Sequence, residues 1–155
     1  MNPFRPREVA SSIFAIDFER LFRRGMRTVL FDLDKTLKDR GPSEVEPSVL
    51  ALLARLSEMG FRIGILTNRR PLAADPALDA LVRRYPLHHT ARKPSRKGFL
   101  ALLQELGTSP REAVMVGDHL LTDIFGANRL GIYSIRILST SGAGRGRRAG
   151  CRPGC

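Results

Sequence analysis

The stretch "TVLFDLDKTL", residues 28–37, decides the fold. Val29, Leu30 and Phe31 form an apolar run with the character of a buried strand. Asp32 and Asp34 follow at once, with Thr36 behind them. A strand needs no carboxylates for its own stability, and burying them costs free energy unless something pairs with them. The pair therefore marks a strand that carries charge to a site.

Working outward, short apolar runs alternate with helical patterns. "PSVLALLARLSEMG" (47–60) reads as a helix, with Pro47 in its first turn, Leu50, Leu53, Ala54 and Leu56 as a stripe, and Gly60 at its end. "FRIGILTN" (61–68) is the second strand. A weaker helix, "DPALDALVRRY" (75–85), starts on Asp75 as N-cap and Pro76. "LHHTA" (87–91) is a short third strand. "SRKGFLALLQELG" (95–107) is a helix from Ser95 to Gly107, and "EAVMVGD" (112–118) the fourth strand. "LLTDIFGANRLG" (120–131) is a helix and "YSIRIL" (133–138) the fifth strand. Strands separated by helices imply right-handed crossovers and a parallel sheet. The pattern predicts an α/β Rossmann-like domain with a five-stranded, mainly parallel sheet and helices on both faces.

That core spans roughly residues 26–138. The segment 1–25, with Ile13, Phe14, Ile16, Phe18, Leu21 and Phe22, is apolar enough to pack on it, so 1–138 reads as one domain. The end, "STSGAGRGRRAGCRPGC" (139–155), has no acidic residue and no hydrophobic period, and is expected to be disordered. Cys151 and Cys155, the two cysteines of the chain, both fall in it, so no disulfide framework holds the body. No apolar signal region opens the sequence, and no apolar run nears the roughly 20 residues of a membrane span. A cytoplasmic protein is expected, at most peripheral on the inner face of a membrane. A net charge of +11 over 155 residues points to an anionic partner.

In a parallel α/β sheet, ligands bind beyond the carboxyl ends of the strands. There the sequence places Asp32 and Asp34, then Thr67 and Asn68, then Lys93, then Asp118 with Asp123 following. This set suits phosphoryl transfer. A carboxylate nucleophile and a phosphate ester are both anionic, so a cation must neutralise them, and hard oxygen ligands suit Mg²⁺. Asp32 and Asp118 offer carboxylates and Asp34 a backbone carbonyl. Asp32 would attack phosphorus, and Asp34 would protonate the leaving oxygen and later deprotonate water. Thr67 and Lys93 would hold the phosphoryl oxygens.

"DLDKT", "LTN", "RKP" and "GDHLLTD", in that order and spacing, resemble the four motifs of the haloacid dehalogenase (HAD) superfamily. The resemblance implies Asp32 as nucleophile, Asp34 as acid/base, Thr67 and Asn68 in the phosphate-binding motif, and Lys93 in the third motif. It implies Asp118 as metal ligand with Asp32 and Asp34, Asp123 steadying the metal shell, and Mg²⁺ as cofactor. Residues 91–107 and 114–135, with the segment 8–34, resemble the subfamily IIIA branch similar to mitochondrial phosphatidylglycerophosphate phosphatases. Lys35 stands where that branch usually has Asn, and the Gly/Arg tail replaces a further ordered stretch. Only "KDRGPSEVEPS" (38–48) separates the first motif from its helix, and one helix and one strand fill the space between Asn68 and Lys93, so no cap domain is expected.

Arg69, Arg70, Arg92, Arg96 and Lys97 would form a basic collar, suited to a phospholipid headgroup or an anionic bilayer. His88 and His89 are adjacent on a strand and would face opposite ways, so they should not share a metal. His119 is a neighbour of the site, and Gly126 and Gly131 are packing or turn residues. The resulting expectation is a phosphatase of phosphatidylglycerophosphate. A soluble phosphomonoester is the rival substrate, and an RNA- or ribosome-binding module on the same scaffold is the rival class. An aspartyl-phosphate receiver fits less well, because Thr36 and Asp123 suit hydrolysis better than a held phosphate.

Overall fold

The computed structural model describes residues 2–39, 44–70, 76–89 and 91–138. The expected N-cap Asp75 and the tail 139–155 lie outside them. The elements in chain order are β1 (Glu8–Ala10), α1 (Phe18–Arg23), β2 (Thr28–Phe31), α2 (Pro47–Met59), β3 (Arg62–Leu66), α3 (Pro76–Val82), β4 (Leu87–His88), α4 (Arg96–Leu106), β5 (Ala113–Gly117), α5 (Gly126–Leu130) and β6 (Tyr133–Ile137). A π-helical stretch, Leu120–Phe125, leads into α5.

The sheet has six strands, ordered β1-β6-β5-β2-β3-β4, and every pairing is parallel. Five strands were expected. The sixth is β1, from the N-terminal segment, which pairs along β6 with Glu8 opposite Ile135 and Ala10 opposite Ile137. Among the described residues no cap domain interrupts the layers, and no helix is long and apolar enough to cross a membrane.

Side chains alternate across the central strands and split the core in two. Val29, Phe31, Ile63, Ile65, Val114 and Val116 face one layer with α1, α2 and α3. Leu30, Leu66 and Met115 face the other, with Phe99, Leu102 and Leu103 of α4 and Ala127 of α5. Leu53 and Leu102 are fully buried, and truncating either to alanine should cost about 2–5 kcal/mol. Gly64 is what lets α4 lie on β3, because a Cβ there would meet Leu106 Cδ1 at 2.8 Å. The helix ends follow their sequence signals. Gly60 closes α2 at φ 111° and Gly107 closes α4 at φ 67°. The Ser95 side chain accepts from the Lys97 N–H to open α4.

Candidate active site

The site lies at the carboxyl edge of the sheet, where four segments leave their strands together. Asp32 is the first residue past β2, and its N–H still bonds Val116 O at 3.0 Å. Asp118 is the first past β5, and Thr67 and Asn68 the first past β3. Lys93 arrives from the loop before α4. A cleft of about 380 Å³ opens among them, lined also by Asp34, Lys35, Arg69, His119 and Thr122.

At its floor, Lys93 Nζ donates to Asp32 Oδ1 at 2.7 Å and to Asp123 Oδ1 at 2.6 Å. Lys93 is 5% exposed and Asp123 fully buried. The second oxygen of Asp123 accepts from the His119 N–H at 3.2 Å, so both its oxygens are engaged. Gly117 makes room for that carboxylate, since a Cβ there would lie 2.3 Å from Asp123 Oδ2.

Carboxylate oxygens of Asp32, Asp118 and Asp123 all lie within 4.8 Å of one another. Ionised, the three carry three negative charges against one on Lys93, which leaves two negative charges in a largely buried space. Burial first, and Asp123 second, push the Asp32 carboxyl up to about 7 even though Lys93 opposes the shift. The same two causes raise Asp118. Burial pulls Lys93 down, but Asp123 and Asp32 outweigh it and its pKa is raised. Two uncompensated charges and an all-oxygen donor set fit a divalent hard cation such as Mg²⁺.

Asp34 stands apart from the carboxylate cluster. Its Oδ1 is buried without a hydrogen bond, 3.6 Å from Lys38 Nζ and 4.0 Å from an Arg69 guanidinium nitrogen. Its backbone carbonyl is the group expected at the metal, and its carboxylate is not one of the three that cluster. The turn after it is tight. Leu33 O accepts the amides of Thr36, Leu37 and Lys38, and the Lys35 N–H donates to Lys38 O at 2.7 Å. Lys35 sits at φ 63°, a left-handed conformation that costs a lysine about 1–2 kcal/mol.

Asn68 reaches the cleft, but its amide is largely committed to the Lys93 backbone. Lys93 N–H donates to its Oδ1 at 2.7 Å, and its Nδ2 donates to Lys93 O at 3.1 Å. One amide N–H remains for a ligand. Thr67 is buried, with its Oγ1 accepting from the Arg69 N–H. Of the expected basic collar, Arg69 lines the cleft, while Arg70, Arg92, Arg96 and Lys97 are exposed. His88 meets Glu105 of α4, and His119 Nδ1 accepts the Thr122 N–H at the start of the π-helix. Gly126 is a packing residue against Phe99, and Gly131 turns the chain at φ 78°. Sequence reasoning missed Lys38. It is buried and near Asp34, and its only sequence signal was the spacing of four from that aspartate.

A sequence model described as haloacid dehalogenase-like hydrolase matches residues 38–131, which takes in Thr67, Lys93, Asp118 and Asp123 and begins just past the Asp32–Thr36 turn. The chain belongs to the haloacid dehalogenase (HAD) superfamily of phosphatases. Probable phosphatase YqeG of Bacillus subtilis is 29% identical over 135 residues, covering 87% of this chain and 77% of its own. Phosphatidylglycerophosphate phosphatase 1, chloroplastic, of Chlamydomonas reinhardtii is 33% identical, covering 88% of this chain. This chain spans 54% of that relative's length. Phosphatases named for soluble esters, glyceraldehyde 3-phosphate and phosphoglycolate, are among the further matches. The crystal structure of a HAD phosphatase from Thermococcus onnurineus superposes with TM-score 0.65 at 21% identity, over 78% of this chain and 90% of that one, which shows the HAD fold.

Proposed function

We propose that this HAD chain hydrolyses a phosphomonoester through an aspartyl-phosphate on Asp32, with Mg²⁺, and that its substrate is phosphatidylglycerophosphate. The observation that supports the chemistry is the floor of the cleft. A strand-end carboxylate faces the solvent side of a buried ammonium, with two further carboxylates beside it. Asp32, Asp118 and the Asp34 carbonyl would hold the cation, with Asp123 behind them. Bound there, Mg²⁺ offsets the charge of the phosphoryl oxygens and of Asp32.

An Asp32 oxygen attacks phosphorus, and the ester P–O bond breaks. Asp34 gives a proton to the departing alkoxide. A water then attacks the phosphoryl group, Asp34 takes its proton, and the P–O bond to Asp32 breaks, which restores both aspartates. Lys93 and Thr67 stabilise charge on the phosphoryl oxygens, and Asn68 keeps Lys93 in place.

Three features support the lipid. Among the described residues no cap domain covers the cleft, which suits a surface-bound headgroup. Lys35 and Arg69 line the cleft, in keeping with the charge of +11. Leu120 and Leu121, directly after the site's Asp118 and His119, are 37% and 49% exposed, which suits peripheral contact with an anionic membrane at its inner face. The soluble-ester reading keeps the same chemistry, and the relatives named for soluble esters support it. An RNA-binding role has no support beyond the positive charge.

The test is phosphate release, with Mg²⁺ and with chelator, from phosphatidylglycerophosphate in mixed micelles beside soluble phosphomonoesters, with Asp32→Asn in parallel. Mg²⁺-dependent release from the lipid, absent in the variant, is expected. Release from soluble esters alone would discard the lipid, and no release at all would discard the phosphatase.

A further inference from the structure

We infer that Lys35 determines specificity by binding a second anionic group, a phosphodiester or a carboxylate, on the leaving alcohol of the substrate. The inference rests on the phosphatase reading above. Among the described residues, Lys35 and Arg92 are the two non-glycine residues with positive φ. Backbone strain held at a cleft points to a use for the residue that bears it. Asn or Gly would make the same turn with less strain, so the turn alone does not account for a lysine.

The other lysines of the cleft floor are engaged. Lys93 lies between Asp32 and Asp123, and Lys38 lies under Asp34. Lys35 also lines the cleft, yet it is exposed, and among the described residues its ammonium makes no hydrogen bond or ion pair, although its charge opposes the rise of the Asp118 carboxyl. Lys93, at the buried floor, is placed for the transferred phosphoryl group. Lys35, at the exposed mouth, is placed for what remains attached to the leaving oxygen. An ammonium there favours esters whose alcohol carries its own charge, and it disfavours neutral ones only by comparison.

The experiment compares kcat/KM of the Mg²⁺-loaded full chain on three esters. Phosphatidylglycerophosphate in mixed micelles carries a lipid phosphodiester, phosphoglycolate a soluble carboxylate, and p-nitrophenyl phosphate no second anion. The variants are Lys35→Asn and Lys35→Arg. Asn tolerates the left-handed conformation, so Lys35→Asn should fold, and its melting temperature checks this. The preference for the anionic esters over p-nitrophenyl phosphate should fall about tenfold in Lys35→Asn, mainly through KM, and return in Lys35→Arg. Added salt should reduce that preference in the wild type and change it less in Lys35→Asn. A fall for the lipid alone assigns the group to a lipid phosphodiester, and a fall for both assigns it to anions in general. A preference unchanged in Lys35→Asn, with all three esters affected alike, would overturn the inference while leaving the phosphatase intact. A wild type that releases phosphate from none of the esters would remove the phosphatase reading and this inference with it.

Discussion

Lys93 Nζ lies 2.6 Å from Asp123 Oδ1, a contact in which the aspartate is wholly buried and the lysine nearly so. The same ammonium holds Asp32 at 2.7 Å, so one cation fixes the proposed nucleophile to the interior. Removing one member of a buried ion pair strands the charge that is left.

Lys93→Met is therefore expected to destabilise the metal-free protein by about 3–5 kcal/mol, the usual cost of breaking a buried pair from one side. Urea unfolding measures it. Mg²⁺ should recover more stability in this variant than in the wild type, because the carboxylates then lack any other cation. Phosphate release should stay low even where the fold is restored. A loss under 1 kcal/mol would mean that water already reaches Asp123.

The raised pKa of Asp32 has a sign that can be checked. Folding lifts the carboxyl from 3.8 to about 7, so between those values the native state holds a proton that the unfolded chain has lost. Stability from this group is full below about pH 4 and lost as pH rises toward 7. The expected result is a falling difference in melting temperature between metal-free wild type and Asp32→Asn across that window. Asp118 contributes in the same direction. Saturating Mg²⁺ should flatten the difference.

Gly117→Ala places a methyl 2.3 Å from Asp123 Oδ2, against a carboxylate fixed by Lys93 and the His119 N–H. The strand cannot yield without parting from β2 and β6. An overpacking cost of about 1–3 kcal/mol is expected, with weaker Mg²⁺ binding read by calorimetry. Unchanged affinity would show that Asp123 does not steady the metal position.

Much of this site was legible in the sequence because charge interrupts hydrophobic runs at strand ends. Asp32 breaks off β2, Asp118 breaks off β5, and neither aspartate has a packing role. β1 was not legible. Its three residues carry no period, and the strand exists through pairing with β6 and through Glu8, which meets both Arg20 and Tyr133. Lys38 stands in a charged linker, and only the three amides gathered on Leu33 O fold it beneath Asp34. The π-helical start of the last helix was hidden too. A sequence period near 3.6 does not separate it from an α-turn, although it sets Asp123 back toward Gly117. The bonds from Asn68 to the Lys93 backbone were not legible either, because that partner lies 25 residues away in the chain.

The proposed reaction requires Asp32 to carry the phosphoryl group. The most direct measurement is to quench the Mg²⁺-loaded enzyme during turnover, reduce it with borohydride, and sequence the peptide around residue 32 by mass spectrometry. An acyl phosphate there would be reduced, and homoserine should appear in place of Asp32, with none in Asp34 and none without substrate. Steady phosphate release with Asp32 unmodified in every quenched sample would contradict the account, and would leave Asp32 as a bystander to direct attack by water.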